Sequence, residues 1–302
     1  MGRLRIAVTG AGGFVGRHVV DELIRRGHLV EAAVGRRPAP EHPLVRATRV
    51  DLLDPAAAQA WVAASRPDGL LHAAWFAVPG EYWTSPENQR WRAASPALFT
   101  AALDAGCRRI VGVGSCAEYF WDNRPSSEAH TPIQPATPYG EAKDKTRAVL
   151  AEVAGRRAAS WAWARLFFLF GPFEPTSRLI PSVVRSVLQG TAAACTAGTQ
   201  ERDFLYVRDA AAALVALLES DVQGAVNIAS GQAMAVRTLV ERLVARAGGG
   251  RIEFGALPMS AAEPALIVAD TARLRNEVGW SDDTALDDAL DESIAFEKNR
   301  IA

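Results

Sequence analysis

The sequence predicts an α/β protein in which a doubly wound parallel sheet is joined to a smaller, mixed C-terminal region. Two observations predict this architecture. Short apolar runs alternate with helix-length segments over residues 1–150, which is typical of parallel strands connected by crossover helices. After Gly171-Pro172, the helical segments are instead separated by irregular stretches.

The predicted strands of the sheet are short runs rich in apolar residues. They cover residues 4–9, 29–34, 47–50, 69–72, 109–113 and 160–166. Between the first two, Val19, Leu23 and Ile24 recur at helical spacing, which predicts a helix over residues 16–26 that ends at Gly27. This succession favours the doubly wound (Rossmann) arrangement of strands.

The C-terminal region is predicted to contain helices with short strands between them. The helices cover residues 179–188, 207–218, 236–247 and 287–296, and the strands cover residues 225–228 and 251–254. We expect residues 1–170 to form the Rossmann domain, with a return of roughly residues 203–230. Residues 171–302 are expected to form mainly the C-terminal region.

Composition limits the class of protein. With 302 residues, of which 49% are hydrophobic and 22% charged, the chain is typical of a folded globular protein. A net charge of −1 without a long basic run argues against nucleic acid or an anionic membrane as the main partner. No apolar stretch approaches the roughly 18 to 20 residues that cross a bilayer, so we expect a cytoplasmic protein.

The cysteines do not indicate a disulfide framework. Cys107, Cys116 and Cys195 are few and widely spaced, and their spacing is not that of metal ligands. We therefore expect reduced thiols and no metal site.

A glycine loop, Thr9-Gly-Ala-Gly-Gly-Phe-Val-Gly16, follows the first predicted strand. Gly10, Gly13 and Gly16 recur at spacings of three, and the helix containing Phe14 and Val15 begins within the loop. Glycines allow the backbone to approach a pyrophosphate, and a helix N-terminus supplies N–H donors and a positive dipole. The loop therefore predicts a dinucleotide site, with a tight turn that binds no ligand as the alternative.

The end of the second strand bears on the choice of dinucleotide. A carboxylate there would bind the ribose of NAD, but Arg36 and Arg37 occupy these places and Glu31 comes too early in the strand. Two arginines suit a 2′-phosphate, so NADP(H) is favoured and NAD(H) remains the alternative. The arginines would otherwise be solvated loop residues.

The residues after the third strand are predicted to approach the adenine. Asp51 begins Asp51-Leu52-Leu53-Asp54, where its carboxylate can accept a hydrogen bond from the adenine amino group. Alternatively, Asp51 or Asp54 caps the helix that follows.

The strongest catalytic signal is Tyr139-Gly-Glu-Ala-Lys143. On a helix these two side chains share one face, so the lysine ammonium can stabilise a phenolate and make the tyrosine a proton donor or acceptor near neutral pH. Ser115 ends a buried strand at the sheet edge where ligands bind. There its hydroxyl can hydrogen-bond a substrate oxygen beside Tyr139. Together, the three residues point to redox chemistry at a carbon–oxygen bond.

Several further motifs extend this pattern over nearly the whole chain. They are His72-Ala73-Ala74, Ser115 four residues before Tyr119, Arg165 through Phe170-Gly171-Pro172, Arg178-Leu-Ile-Pro181, Arg202-Asp-Phe-Leu-Tyr-Val-Arg-Asp209 and Asn227-Ile-Ala-Ser-Gly231. With these motifs, the sequence resembles the extended short-chain dehydrogenase/reductase family, specifically its nucleotide-sugar epimerases, dehydratases and ketoreductases. The resemblance implies that Ala73, Ala74, Tyr139 and Lys143 also line the cofactor site.

The resemblance implies a nucleotide-diphosphate sugar as substrate. Arg202 falls where relatives commonly grip the diphosphate, and Arg178 is placed for a second contact, while Ser115, Cys116 and Ala117 would lie beside the sugar. The alternative for Arg202 is an ion pair with Asp203 or Asp209. Many relatives dimerise through two helices of the sheet domain, which implies a homodimer through residues 97–105 and 143–154.

Departures from the family pattern narrow the chemistry. The dehydratases carry Asp-Glu after the catalytic Ser or Thr, where this chain has Cys116-Ala117, so dehydration is disfavoured unless Glu118 takes over that role. Where relatives often have an asparagine at the start of the helix before the strand that ends at Ser115, this chain has Trp91, with Asn88 one turn earlier. Aromatic residues are dense near these motifs, either as a wall for a deoxygenated sugar or as ordinary packing; they are Trp75, Phe76, Tyr82, Trp83, Trp91, Tyr119, Phe120 and Trp121.

The residues and the resemblance together favour an NADP(H)-dependent 4-ketoreductase acting on a nucleotide-linked 4-keto-6-deoxyhexose. A nucleotide-sugar 4-epimerase, which uses the same Ser115, Tyr139 and Lys143 but retains its cofactor, is the first alternative. A dinucleotide-binding regulator without turnover is the second, because a fold does not fix a function.

Overall fold

The computed structural model of the protein describes residues 2–260 and 262–301. Its strands in chain order are β1 (Arg5–Thr9), β2 (Leu29–Val34), β3 (Val45–Arg49), β4 (Gly69–His72), β5 (Arg109–Ser115), β6 (Ser160–Leu166), β7 (Phe168–Phe170), β8 (Ala193–Cys195), β9 (Glu201–Tyr206), β10 (Gly224–Ile228), β11 (Ala233–Ala235), β12 (Ile252–Phe254) and β13 (Leu266–Ile267). Its α-helices are α1 (Phe14–Arg25), α2 (Pro55–Ser65), α3 (Glu87–Asp104), α4 (Pro138–Gly155), α5 (Leu179–Leu188), α6 (Val207–Glu219), α7 (Val236–Arg246), α8 (Ala272–Asn276) and α9 (Leu286–Ile301).

Seven parallel strands form the central sheet in the order β10-β6-β5-β4-β1-β2-β3. The chain leaves β1 towards β2 and β3 on one side, and later adds β4, β5, β6 and β10 on the other side. The winding direction therefore reverses between β1 and β4. At such a switch point the carboxyl ends of the strands open into a crevice, which is where doubly wound proteins bind ligands.

Helices cover both faces of this sheet, as the predicted Rossmann class requires. On one face, α1 and α6 bury a core that includes Val19, Leu23 and Leu214. On the other face, α2, α3 and α4 bury Trp61, Phe99 and Leu150. The predicted doubly wound α/β class is thus confirmed.

Two glycines in β5 shape the strand that ends at the site. A Cβ atom at Gly112 would lie 2.3 Å from the ring of Trp163 on β6, and one at Gly114 would lie 2.1 Å from the indole nitrogen. Both values are far below van der Waals contact, so only glycine leaves room for this buried indole. The packing of Trp163 thereby fixes how β5 reaches Ser115.

The C-terminal region builds smaller sheets around β9. This strand pairs with β11 in antiparallel register and with β7 and β13 in parallel, while β8 pairs with β12. Helices α5, α7 and α9 enclose a separate core around Val183, Val240 and Leu290. The segment that contains α6 and β10 returns to the first sheet, since α6 packs on α1 and β10 pairs with β6.

The strand and helix predictions are accurate where the sequence is regular. The bounds of β2, β4, β6 and α5 are those predicted, whereas α1 begins two residues early because Gly13 is its N-cap. Strand β3 also starts two residues early, and β5 extends to Ser115. The short strands β7, β8, β9, β11 and β13 were not predicted, because their two to six residues carry too little periodicity. Within residues 2–260 and 262–301, no helix is both long and apolar enough to cross a membrane.

Candidate active site

The glycine loop lies at the switch point of the sheet. Gly10 has a φ of +68°, and a Cβ atom on it would lie 2.9 Å from the backbone nitrogen of Ala74. At Gly16, a Cβ atom would lie 2.1 Å from the carbonyl oxygen of Gly10. Gly13 caps α1 without a side chain, and the first turn of α1 has no carboxylate to compete for its N–H groups. The loop therefore fits the pyrophosphate of a dinucleotide.

A buried hydrogen-bond chain holds the segment after β4 beside this loop. The Oγ1 of Thr9 lies 2.8 Å from Nδ1 of His72 and accepts a hydrogen bond from the backbone N–H of Ala74. The other ring nitrogen of His72 lies 3.3 Å from the hydroxyl of Ser95. Burial, with a contribution from the charge of Lys143, lowers the pKa of His72 to about 3. His72 is therefore a neutral structural residue that places Ala73 and Ala74.

The residues predicted to bind the adenosine half are mostly exposed. Arg36 and Arg37 follow β2 at the surface, and Asp51 is exposed while Leu52 is buried. The Asp51 carboxylate accepts a hydrogen bond from the N–H of Leu53, whereas Asp54 is the N-cap of α2. Of the two aspartates, Asp54 is thus the helix cap.

Tyr139 and Lys143 lie on one face of α4, whose first turn packs directly behind Ser115. Thr137 caps this helix by accepting a hydrogen bond from the N–H of Gly140. A Cβ atom at Gly140 would lie 2.2 Å from the carbonyl oxygen of Ala117, so glycine permits the close approach. The three residues predicted to be catalytic therefore meet at the carboxyl end of β5.

Lys143 is buried without an ion-pair partner among the described residues. Lys143 is only 3% exposed, and its Nζ donates a 2.8 Å hydrogen bond to the carbonyl oxygen of Val113. The ammonium also lies 3.9 Å from the centroid of the Trp75 ring and 5.8 Å from that of Tyr139. Burial lowers the pKa of Lys143 to about 7, and the Glu118 carboxylate opposes this change.

The pKa of Tyr139 is shifted in the direction opposite to that expected from the sequence. Its ring meets Tyr82 and Trp83 edge-on, with centroids 4.8 and 5.8 Å away. Burial raises the pKa of the phenol above its ordinary value of 10, the neighbouring Tyr82 adds to this, and Ser115 opposes it. The expected lowering of this pKa by Lys143 is wrong, because desolvation disfavours the phenolate and Lys143 does not offset it. Tyr139 is therefore a neutral phenol, which can donate a proton.

Ser115 and Cys116 lie in the turn that follows β5. The Ser115 hydroxyl accepts a hydrogen bond from the N–H of Ala117, which caps the 3-10 turn Cys116–Glu118. Burial raises the pKa of Cys116 to about 12, although its hydrogen bond to Ser115 opposes the change. The thiol is therefore neutral at pH 7 and cannot serve as a base. Cys107 and Cys195 are also buried and unpaired.

Glu118 is committed to a buried network and is not free for catalysis. One carboxylate oxygen accepts hydrogen bonds from the N–H of Ser115 and from the Trp163 indole, at 2.8 and 2.9 Å. The other forms a 2.8 Å ion pair with Arg165, and the Glu118 side chain is fully buried. Arg165 also donates to the hydroxyl of Tyr119. Glu118 therefore cannot replace the missing acid pair of a dehydratase.

The aromatic residues divide between the site and the core. Tyr119 is 1% exposed and donates to Asn227, so it belongs to the buried network. Trp75, Tyr82 and Trp83 instead contact Lys143 or Tyr139. Asn88, in the first turn of α3, joins the two ends of the segment from Trp75 to Tyr82. Its side chain accepts a hydrogen bond from the Trp75 indole and donates one to the carbonyl oxygen of Tyr82.

Arg202, predicted to grip the diphosphate, is buried and already paired. Its side chain is 3% exposed and forms an ion pair with Glu263, and it also donates to the carbonyl oxygen of Glu201. The alternative partners considered from the sequence are wrong. Asp203 accepts from Ser230, Gly231 and Ala269, and Asp209 accepts from Thr284.

Arg178 is held more weakly. Its Nε lies 3.2 Å from Oε1 of Glu174, and its side chain is one-third exposed. Burial raises the pKa of Glu174 to about 8, while Arg178 and the N–H of Gly171 oppose the change. Glu174 is thus largely protonated at pH 7, so much of the Arg178 charge is available to a ligand. Arg178 also influences Tyr82, whose pKa burial raises to about 12.

Two residues beside the predicted arginines escaped prediction: Glu263 and Glu174. They belong to no motif, and packing brings them to Arg202 and Arg178. No local signal in the sequence could have found Glu263.

The structure places the glycine loop at the switch point of a Rossmann sheet, and Ser115, Tyr139 and Lys143 at the carboxyl end of β5. A model described as the NAD dependent epimerase/dehydratase family matches residues 6–229. The chain belongs to this family, and the predicted resemblance is confirmed.

Similar proteins carry out different reactions. Over 314 residues, the chain is 26% identical to UDP-glucuronic acid decarboxylase 1 of Xenopus tropicalis, covering 97% of this chain and 72% of that protein. It is 26% identical over 261 residues to the dTDP-6-deoxy-L-talose 4-dehydrogenase (NAD(+)) of Aggregatibacter actinomycetemcomitans, covering 80% and 90%. The fold matches that of the UDP-N-acetylglucosamine 4-epimerase from Methanobrevibacter ruminantium M1 in complex with UDP-N-acetylmuramic acid, with a TM-score of 0.90, 24% identity and coverage of 99% and 100%.

Proposed function

We propose that the protein is an NADP(H)-dependent oxidoreductase that reduces a nucleotide-linked 4-keto-6-deoxyhexose. The observation that carries this proposal is the meeting of Tyr139, Lys143 and Ser115 at the carboxyl end of β5. Because burial raises the pKa of the phenol, the tyrosine is held as a proton donor beside Ser115. Reduction of a ketone needs a donor at this place, whereas oxidation of an alcohol needs a base.

The three catalytic side chains have separate roles in this reaction. Tyr139 donates its proton to the oxygen on the carbon being reduced, and the Ser115 hydroxyl hydrogen-bonds the same oxygen. Lys143 holds its ammonium near the phenol ring and passes a proton to the phenolate that Tyr139 leaves behind, after which solvent reprotonates Lys143. The nicotinamide cofactor, when bound, supplies the hydride.

The surroundings of Ser115 disfavour elimination of water. Cys116 is a neutral thiol, Ala117 has no polar side chain, and both oxygens of Glu118 are engaged by Ser115, Trp163 and Arg165. Elimination needs an acid and a base close to the substrate. Reduction needs, besides the hydride of the cofactor, only the proton donor that Tyr139 provides.

The substrate contacts are proposed in the turn after β5 and in the C-terminal region. Arg202 and Arg178 would hold the diphosphate, and Ser115, Cys116 and Ala117 would face the sugar. Trp75, Tyr82 and Trp83 supply an apolar surface near Tyr139, which suits the methyl group of a 6-deoxy sugar.

The cofactor contacts are proposed from the loops at the switch point. The pyrophosphate would bind the glycine loop, the 2′-phosphate Arg36 and Arg37, and the adenine the Asp51-Leu52 pair. The nicotinamide ribose would lie near Ala73, Ala74, Tyr139 and Lys143. NAD(H) is the alternative, because one of the similar proteins is named for NAD(+). A homodimer through α3 and α4, which pack side by side, remains a prediction.

Spectrophotometric assay tests this function. Purified protein with NADPH and a panel of UDP- and dTDP-linked 4-keto-6-deoxyhexoses is expected to consume NADPH. Tyr139→Phe is expected to reduce the rate about 10²- to 10⁴-fold, because it removes the proton donor. Tyr206→Phe is the matched control, since that hydroxyl bonds Glu292 in the C-terminal region.

Two other outcomes would replace the proposal. Inversion at C4 of a nucleotide sugar without net NADPH consumption would identify a 4-epimerase, which uses the same three side chains. Stoichiometric NADPH binding without turnover on any sugar of the panel would instead identify a regulator that has lost catalysis.

A further inference from the structure

The Lys143 ammonium is held in an unusual setting for a buried cation. It has no carboxylate within ion-pair distance among the described residues, and its direct neighbours are the Val113 carbonyl oxygen at 2.8 Å and the Trp75 ring at 3.9 Å. A desolvated ammonium over an indole face is attracted by the ring quadrupole. The indole therefore replaces part of the hydration that Lys143 loses on folding.

The indole is itself fixed from two sides. Its Nε1 donates a 2.9 Å hydrogen bond to Oδ1 of Asn88, which is fully buried, and its ring stacks on Trp91 at 6.1 Å and 30°. Asn88 also donates to the carbonyl oxygen of Tyr82, whose ring contacts Tyr139. One amide thus ties together the aromatic groups that touch both catalytic residues on α4.

We propose that Trp75, clamped by Asn88, is the positioning residue of Lys143: its ring holds the ammonium against Val113 and stabilises its charge in a buried site. Of the three ammonium N–H groups, one is donated to Val113 and one faces the indole. The third remains for the phenol or the cofactor. This inference deepens the proposed function, because it assigns a role in the same reaction to residues outside the three catalytic side chains.

The chain offers a direct readout that does not need turnover. It has only three lysines, Lys143, Lys145 and Lys298, so lysine selectively labelled with ¹³C gives three side-chain signals. Lys143→Met identifies the Lys143 signal by its absence. Because Lys143 lies over the indole, its Hε resonances are expected to be displaced upfield by the ring current, and their titration reports the protonation of the ammonium.

Trp75→Leu removes the aromatic face but keeps an apolar side chain that excludes water. We expect the upfield displacement to disappear and the protonated fraction of Lys143 at pH 7 to fall about three- to tenfold. Trp75→Phe retains a ring, so it should keep part of both effects. Asn88→Ala should leave the indole in place but reduce the displacement, because the ring is no longer fixed. Trp91→Phe, which preserves the stack, is the control.

An unchanged or increased protonated fraction in Trp75→Leu would overturn the proposal, because it would show that the indole only excludes water. If Trp75→Leu does not fold, the same decision rests on Trp75→Phe and Asn88→Ala. In the NADPH assay, the pH at which the rate is half-maximal should move with the NMR titration. NMR changes without turnover in any variant would refute the proposed reaction but support the role of Trp75, and turnover with unchanged NMR would do the reverse.

Discussion

The residues proposed to bind the cofactor, here called the cofactor side, and those proposed to bind the substrate, the substrate side, differ in how their cations are paired. On the cofactor side, Lys143 has no carboxylate partner among the described residues, and Arg36 and Arg37 lie exposed without one. On the substrate side, the two arginines proposed for the diphosphate are already beside glutamates, Arg202 with Glu263 and Arg178 with Glu174.

This difference in pairing decides whether a ligand has to displace a carboxylate when it binds. In the proposed function, a dinucleotide would bind the glycine loop and the nearby cations without displacing a partner. The phosphates of a nucleotide sugar would instead have to displace the Glu263 carboxylate from Arg202. The ion pair with Glu263 keeps Arg202 satisfied while it is buried, since an unpaired charge there would be costly. The proposed function therefore implies a competition on the substrate side that the cofactor side lacks.

The largest effect is expected from Lys143→Met, which removes the cation on the cofactor side. We expect the rate of NADPH oxidation to fall at least about 10²-fold, because Tyr139 loses the group that holds and reprotonates it. Steady-state kinetics with the active sugar of the panel measures the loss. Lys145→Met, on the exposed face of the same helix, should retain the rate. Equal losses in both variants would contradict the assignment.

The same variant should be more stable than the wild type at low pH. Lys143 has a pKa of about 7 when folded and 10.5 ordinarily, so the unfolded chain binds more protons between these values. The penalty for burying the charge is full below about pH 7 and vanishes above about pH 10.5. The difference in melting temperature between Lys143→Met and wild type, measured across this range, should therefore shrink as the pH rises. A constant difference would show that the ammonium is not penalised.

A smaller effect is expected on the substrate side from Arg202→Gln. Loss of a charge-assisted contact should weaken the binding of UDP or dTDP about 10- to 100-fold in isothermal titration calorimetry. Folding should be little affected, because the partner left behind, Glu263, is 39% exposed. Arg185→Gln also removes an arginine from an Arg–Glu pair, here with the buried Glu297, and it is the control that should not weaken binding.

Arg36→Ala and Arg37→Ala test the exposed cations of the cofactor side. Each change is expected to weaken NADPH about tenfold and NADH little, because only NADPH carries the 2′-phosphate. Fluorescence titration with both cofactors measures the ratio, and Arg3→Ala, at the opposite end of the sheet, corrects for net charge. Equal losses for NADPH and NADH would remove the case for NADP(H).

The smallest effect tests the competition itself. Glu263→Gln should tighten the binding of UDP or dTDP by up to about fivefold, because a partly exposed ion pair contributes at most about 1 kcal/mol. Glu201→Gln removes the same charge from the residue before Arg202 and should have less effect. Weaker binding in Glu263→Gln would show that the carboxylate assists the ligand instead of competing with it.

The residues proposed for the cofactor follow from local sequence patterns, whereas those proposed for the substrate do so less. The strand ends, the glycine loop and the Tyr139–Lys143 spacing are local patterns that a few neighbouring residues define. Arg178 and Arg202 were found only through resemblance, and their glutamate partners were not found. Glu263 lies 61 residues from Arg202 in the chain, in a segment without periodicity.

The sequence by itself determined the Rossmann class, the family and the place of Ser115, Tyr139 and Lys143, because periodicity and short spacings encode them locally. Only the tertiary structure decided how these groups are charged. It placed Trp75 over Lys143, engaged both oxygens of Glu118 and raised the pKa of Tyr139 where the sequence led us to expect the opposite. Desolvation and through-space contacts depend on packing between distant segments, and no local pattern carries that information.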